Sequence, residues 1–262
     1  MKTTPFFLLI FGLTCTGFVT QKQTTTALQK TKQVLFDFRV KRRSAPPKIP
    51  LGTQQTVLSK VFRKYLTNAD KCNPQFDASS SADPLKAARN AGQIVPAIID
   101  AASGSFTARQ QVQIAYVISV GECNASHADN FGTKRIAIFS GQELIADVDL
   151  EFRSNIVRKT DLTGDGTDEL LMTSSDMNQG TFIEIAALLD FQGGRLRVIE
   201  DFGTVIDDSC ASGIPGSSSK ASVVTMSDVV PGKMPRLRID NYAMTCRNPK
   251  RWRFLSTGKM QD

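Results

Sequence analysis

The sequence predicts a mainly β protein with two helices on its N-terminal side, and three observations lead there. From Phe106 onward the apolar residues recur with a period of two, as in Ile114, Tyr116, Ile118 and Val120, the spacing of one face of a strand. Short glycine turns join several of these runs, among them Ser140-Gly141-Gln142 and Gln192-Gly193-Gly194, which marks antiparallel meanders. Ahead of Phe106 the period is helical instead: Val57, Leu58, Val61, Phe62, Tyr65 and Leu66 fall on one stripe.

The chain opens with Lys2 and an apolar run from Pro5 to Val19. As a helix that run spans about 22 Å, short of the roughly 30 Å hydrocarbon core of a membrane. Residues 1–20 therefore read as a secretory signal peptide, with cleavage near Thr16, Gly17 or Thr20. Gly12-Leu13-Thr14 before Cys15 is a poor lipobox, so a lipid anchor at Cys15 is not expected.

Residues 21–50 hold eight Lys and Arg against the single acid Asp37, within a chain of net charge +7. From residue 51 onward acids and bases nearly balance, 24 against 23. The basic character thus belongs to this segment and not to the folded body, which argues against nucleic-acid binding. Gln/Thr-rich and proline-containing, residues 21–50 read as a disordered basic tether. Weak contact with an anionic surface is the partner they suggest. Arg39-Val40-Lys41-Arg42 also resembles a furin recognition pattern.

Residues 51–104 read as a helical segment. The first helix is expected over Thr53–Asn68. The second starts at Asp83 as N-cap with Pro84 behind it and runs to Ala102, with a kink at Pro96 and a stop at Gly104. Residues 105–262 read as the β-rich domain. After the run at Ile114, strands are expected at Arg135–Phe139, Glu143–Leu150, Glu169–Thr173, Phe182–Phe191, Arg195–Ile199, Ser222–Met226, Arg236–Tyr242 and Arg251–Leu255. Phe106–Leu150 and Asn155–Glu200 look like two loose copies of one unit, with a weaker third over Cys210–Leu255.

Beyond Cys15 there are four cysteines: Cys72, Cys123, Cys210 and Cys246. An even count in an exported chain suggests two disulfides among three pairings. Cys72–Cys123 with Cys210–Cys246 is favoured, because each pair closes a local unit. Zinc is disfavoured, since there is no C-x-x-C and His127 is the one histidine. Asn124-Ala125-Ser126 is a glycosylation sequon, meaningful only in a eukaryote.

The most specific stretch is Asp161-Leu-Thr-Gly-Asp165-Gly-Thr-Asp-Glu169-Leu-Leu171. Oxygen-bearing side chains stand at its first, third, fifth and ninth positions: Asp161, Thr163, Asp165 and Glu169. Thr167 would add its backbone carbonyl. Calcium takes six to eight oxygens, and glycines such as Gly164 and Gly166 allow the tight curl that gathers them. The loop is no EF-hand, because Met172 holds the twelfth position where that motif needs a bidentate Glu. The alternative is a glycine turn between strands without metal.

This pattern resembles the D-x-[DN]-G-D-G-x-x-[DE]-L segment of FG-GAP and VCBS repeats, the calcium-bearing loops of integrin-α-like β-propeller blades. The resemblance covers about 45 residues, from Ile156 to Glu200, and departs at Thr163, where the family has Asn or Asp. It implies blade-like meanders and a structural Ca²⁺, with a protein or carbohydrate partner at the cell surface. Three units are too few to close a propeller of four to eight blades, so an incomplete propeller-like β-domain is expected.

Catalytic signatures are mostly absent: there is no G-x-S-x-G, no Walker loop and no H-E-x-x-H. The competing function is a secreted, glycan-directed hydrolase using carboxylates. Its candidates are Asp147 and Asp149, which share a strand face, and the adjacent Asp207 and Asp208. Asp168 is expected to point outward onto a surface base. Arg247, Lys250, Arg251 and Arg253 surround Trp252, which is expected in the core. The reading as a whole is an exported, non-enzymatic protein with a calcium-clipped loop.

Overall fold

The computed structural model describes residues 32–40, 47–62, 96–119, 134–150, 154–247 and 251–260. Among these the chain runs β1 (Gln33–Asp37), α1 (Leu51–Phe62), β2 (Ala97–Gly104), β3 (Gln113–Ser119), β4 (Lys134–Ser140), β5 (Glu143–Leu150) and β6 (Asn155–Thr160). It continues as β7 (Glu169–Asn178), β8 (Thr181–Gln192), β9 (Arg195–Asp208), β10 (Ser218–Ser227), β11 (Arg236–Thr245) and β12 (Arg253–Thr257), with one 3-10 turn at Cys210–Ser212. The fold is mainly β and antiparallel. Strands β2 to β5 form a four-stranded sheet in chain order; β6 to β12 form a second sheet, also in chain order, which β1 joins through β10 as its eighth strand.

The small sheet is buried on both faces. Tyr116, Ile118, Ala137 and Phe139 meet Val57, Leu58 and Val61 of α1. The alternate residues Ala115, Val117, Ile136 and Ile138 meet Leu170, Met172, Leu189 and Phe191 of the large sheet. Strand β4 is consequently buried from Lys134 to Phe139, which explains why its sequence reads as a continuous run and not as an alternation. Helix α1 begins where Pro50 accepts the Gln54 N–H at 3.0 Å, and the Gln54 side chain caps the turn by donating to the Ile49 carbonyl at 2.8 Å.

The large sheet curls into a half-barrel around a second core. Its curvature has a local origin. Opposite β8, strand β9 leaves Ile199, Phe202 and Val205 without a partner, one at each of three register shifts. Leu35 in β1 and Val157 in β6 are unpaired in the same way. A bulge adds a residue, bends the strand and increases its twist. All five of these residues are apolar and reach the half-barrel core, with Leu171, Leu188, Val224 and Ile239. The hairpin turns supply the matching twist: Gly193 and Gly194 have φ of 60° and 75°, and Gln179 and Gly180 have 48° and 79°, the left-handed pairs of type I′ turns. Gly180 is also required by contact, since a Cβ there would lie 2.6 Å from the Ser212 Cα.

Three expectations are corrected. The tether over residues 21–50 is interrupted by β1, which pairs with β10 and buries Leu35, Phe36 and Phe38. Its apolar run Val34-Leu35-Phe36 outweighs the flanking charge. Only one helix is found among the described residues: where the second was expected to end, Ala97–Gly104 is strand β2, paired to β3 along its length. Pairing to a buried partner overrides the helical preference of its alanines; residues 83–95 lie outside the described residues. The second and third repeat units are also not separate, because β9 and β10 pair within one sheet. The Cys210–Cys246 disulfide is present, with Cα atoms 5.3 Å apart. It ties the 3-10 turn to the end of β11. Cys72 and Cys123, like Cys15, His127 and the signal segment, lie outside the described residues.

Leu35 is fully buried while its neighbour Val34 is 56% exposed. Leu35→Ala is expected to cost about 2–5 kcal/mol in urea unfolding, and Val34→Ala less than about 0.5 kcal/mol. Equal effects would show that β1 does not belong to the cooperative fold.

Candidate functional site

The acidic loop joins β6 to β7 and is folded by its own side chains. The Asp161 carboxylate accepts the N–H of Asp165 at 3.1 Å and of Gly166 at 2.9 Å. Asp165 in turn accepts the N–H and hydroxyl of Thr167 at 2.8 and 2.6 Å. Gly164 and Gly166 adopt left-handed φ of 68° and 89°, which lets the backbone turn its amides inward. Contacts with other segments hold the loop from outside: Gly232 N–H donates to the Thr163 carbonyl at 2.6 Å. Asp168 and Ser105 exchange two bonds, Asp168 N–H to the Ser105 carbonyl at 2.6 Å and Ser105 N–H to the Asp168 carboxylate at 2.8 Å.

Glu169, the first residue of β7, is 3% exposed. It accepts the Leu162 N–H at 2.7 Å. Burial pushes its carboxyl up to about 7, and the charges of Asp161 and Asp165 push the same way against the bonds from the Leu162 and Glu169 amides. Asp165 moves oppositely: the Thr167 hydroxyl and N–H, with Arg109 nearby, hold it below the usual carboxylate range. The Thr163 hydroxyl is buried beside Asp165 without a well-formed hydrogen bond.

Thr163, Asp165, Thr167 and Glu169 line one cavity of about 440 Å³, shared with the ion pair of Asp190 and Arg197. Four of the five expected ligands thus meet. Asp161 serves the loop amides instead, and among the described residues no three His, Cys, Asp or Glu side chains form a metal-holding group. The donors gathered here are all oxygens, including one buried hydroxyl in need of a partner, and that set fits a hard cation such as Ca²⁺.

The remaining candidates are engaged elsewhere. Arg135, itself buried, pairs with both Asp147 and Asp149 across β4 and β5. Asp207 pairs with Lys220 at 3.0 Å. Trp252 is partly buried against the half-barrel core, while Arg251 and Arg253 are exposed. Asp168 does reach a surface base, Lys159 at 3.3 Å; its bonds to Ser105 had no signal in the sequence, because the two are 63 positions apart. Asp190 and Arg197 were equally hidden, being joined only by the register of β8 and β9. No protein-family model matches the chain, and no curated protein matches it at a significant level.

The titration of Glu169 has a measurable sign. In the folded protein without metal it keeps its proton to about pH 7, against an ordinary 4.5. The folded state therefore holds more protons between those values, and stability is expected to fall as pH rises through that window. Denaturant unfolding in EDTA should show this fall in the wild type and a flatter profile in Glu169→Gln. Identical slopes would rule Glu169 out.

Proposed function

We propose that this chain is an exported, non-enzymatic binding protein whose β6–β7 loop holds a structural Ca²⁺. The observation that carries the reading is the convergence of Thr163, Asp165, Thr167 and Glu169 on one cavity at a loop already curled by internal hydrogen bonds. A divalent cation there offsets the repulsion among Asp161, Asp165 and Glu169 and satisfies the Thr163 hydroxyl. Thr163, Asp165 and Glu169 would hold it by side-chain oxygens and Thr167 by its carbonyl, with Asp161 turning from the loop amides. The ion would stiffen the loop and perform no chemistry.

Export is supported by the signal-like N-terminal sequence and by the Cys210–Cys246 disulfide, a bond of oxidising compartments. Calcium is available there at millimolar levels, enough for a site with weak ligands. Likeness to FG-GAP and VCBS repeats rests on the loop, and the partner it suggests is a protein or a carbohydrate at the cell surface. A glycan hydrolase draws less support: Asp147 and Asp207 are each ion-paired on different sheets, and neither lines the loop cavity.

Millimolar Ca²⁺ is expected to raise the melting temperature of the wild type. At tenfold to a hundredfold above Kd the stabilisation is about 1.4–2.7 kcal/mol. Asp165→Ala should abolish the rise while still unfolding cooperatively in EDTA. A wild-type melting curve indifferent to Ca²⁺ would sink the metal-loop proposal.

A further inference from the structure

The half-barrel is filled along only part of its length. Across β8, β9 and β10 the register aligns Phe182 with Asp208 and Ser219, and Glu184 with Ile206 and Ala221. These six residues line a cavity of about 860 Å³, whereas Ala186, Leu188, Phe202 and Val205, further along the same strands, belong to the packed core. Phe36, Val157, Met244 and Trp252 add apolar walls. A concave, mostly apolar space of about 300–1,000 Å³ with few polar groups is the usual form of a small-ligand site, and the mouth of a β-barrel is one of its usual places.

The charges within it define what would fit. Glu184 projects from β8 into the cavity, and among the described residues no cation pairs with it. Burial raises its carboxyl above the ordinary range, against the opposing pull of the Thr173 hydroxyl. Asp208 lines the same space but is engaged, accepting the Cys210 N–H at 3.1 Å. The one basic side chain there, Arg39, is already committed: its Nε and a terminal nitrogen donate to Asp37 at 2.9 and 2.7 Å, and its guanidinium lies 4.2 Å over the Tyr242 ring. The cavity therefore offers apolar walls and the Glu184 carboxylate.

We propose that this cavity binds a small cationic amphiphile. Its alkyl or aromatic body lies between Phe36, Phe182, Ile206 and Trp252, and its ammonium head donates to the Glu184 carboxylate. The loop cavity plays no part, since Thr163, Asp165, Thr167 and Glu169 line a separate space.

Trp252 is the one tryptophan of the chain and stands in the cavity wall, so its emission reports occupancy directly. The purified protein is titrated with dodecylammonium, dodecanoate and dodecan-1-ol below their micelle concentrations. Dodecylammonium should give a saturable emission change and bind about tenfold or more tighter than dodecanoate, the scale of one charge-assisted hydrogen bond. Glu184→Gln should weaken dodecylammonium by about tenfold and leave dodecan-1-ol unchanged, with thermal unfolding confirming that the variant folds. The wild-type preference between the two charged probes tests the head group without any substitution. No saturable response, equal affinity for ammonium and carboxylate, or unaltered ammonium binding in a folded Glu184→Gln would each overturn the proposal.

Discussion

The curvature of the large sheet is the constraint on which the rest of this structure depends. A flat antiparallel sheet presents each face as a plane, and covering both planes takes a second layer on each. Here one face is covered by the small sheet, and the other covers itself by bending. The bend is produced where β9 carries more residues than β8 can pair, at Ile199, Phe202 and Val205. The bend buries Phe202 and Val205 and partly buries Ile199. Fully burying a side chain of this size contributes about 1.5–3 kcal/mol, so the irregularity is stabilised by what it encloses. A polar residue at these places would leave the unpaired backbone uncompensated and the sheet free to flatten.

The acidic loop sits where the two sheets join. Asp168 ties it to Ser105 at the end of β2, and Asp100 within β2 accepts the Ile156 N–H of β6 at 2.6 Å. The loop is therefore framed by backbone from both sheets, and its conformation is not a property of residues 161–169 alone. A cation in it would brace the seam between the sheets. The apolar cavity lies on the same half-barrel face of the large sheet as Glu169 and Asp190, toward the other end of β7 and β8, with Leu171, Ala186 and Leu188 of the packed core between the two features.

Much of this was legible in the chain because it is local. Period-two alternation located β3, strand-like runs located β4, β5, β8 and β11, and Ser140-Gly141-Gln142 and Gln192-Gly193-Gly194 located the β4–β5 and β8–β9 turns. The acidic loop was legible because its hydrogen bonds join residues two to five positions apart. What escaped has non-local causes. The alanine-rich Ala97–Gly104 resembles a helix until β3 is laid beside it. The strand expected over Arg195–Ile199 in fact runs on to Asp208, since bulges break the alternation that marks a strand. Val34-Leu35-Phe36 was masked by the basic residues around it. Glu184 is unremarkable in sequence and acquires its setting only from Ile206 and Ala221 on neighbouring strands.

The edge of β10 is shared: β9 takes Ser219–Ala221, and β1 takes Val223–Met226. The first strand of the described chain thus waits for a partner roughly 190 positions later, and closing so long a loop is entropically slow. During synthesis, Leu35, Phe36 and Phe38 emerge early and have nowhere to go until β10 and β11 are in place. Docking of β1 is then expected to be a late step in folding, and the nascent chain carries an unpaired apolar strand until β10 forms. An assisting chaperone would find its handle at the N-terminal end, and a chain truncated before β10 would keep that handle exposed.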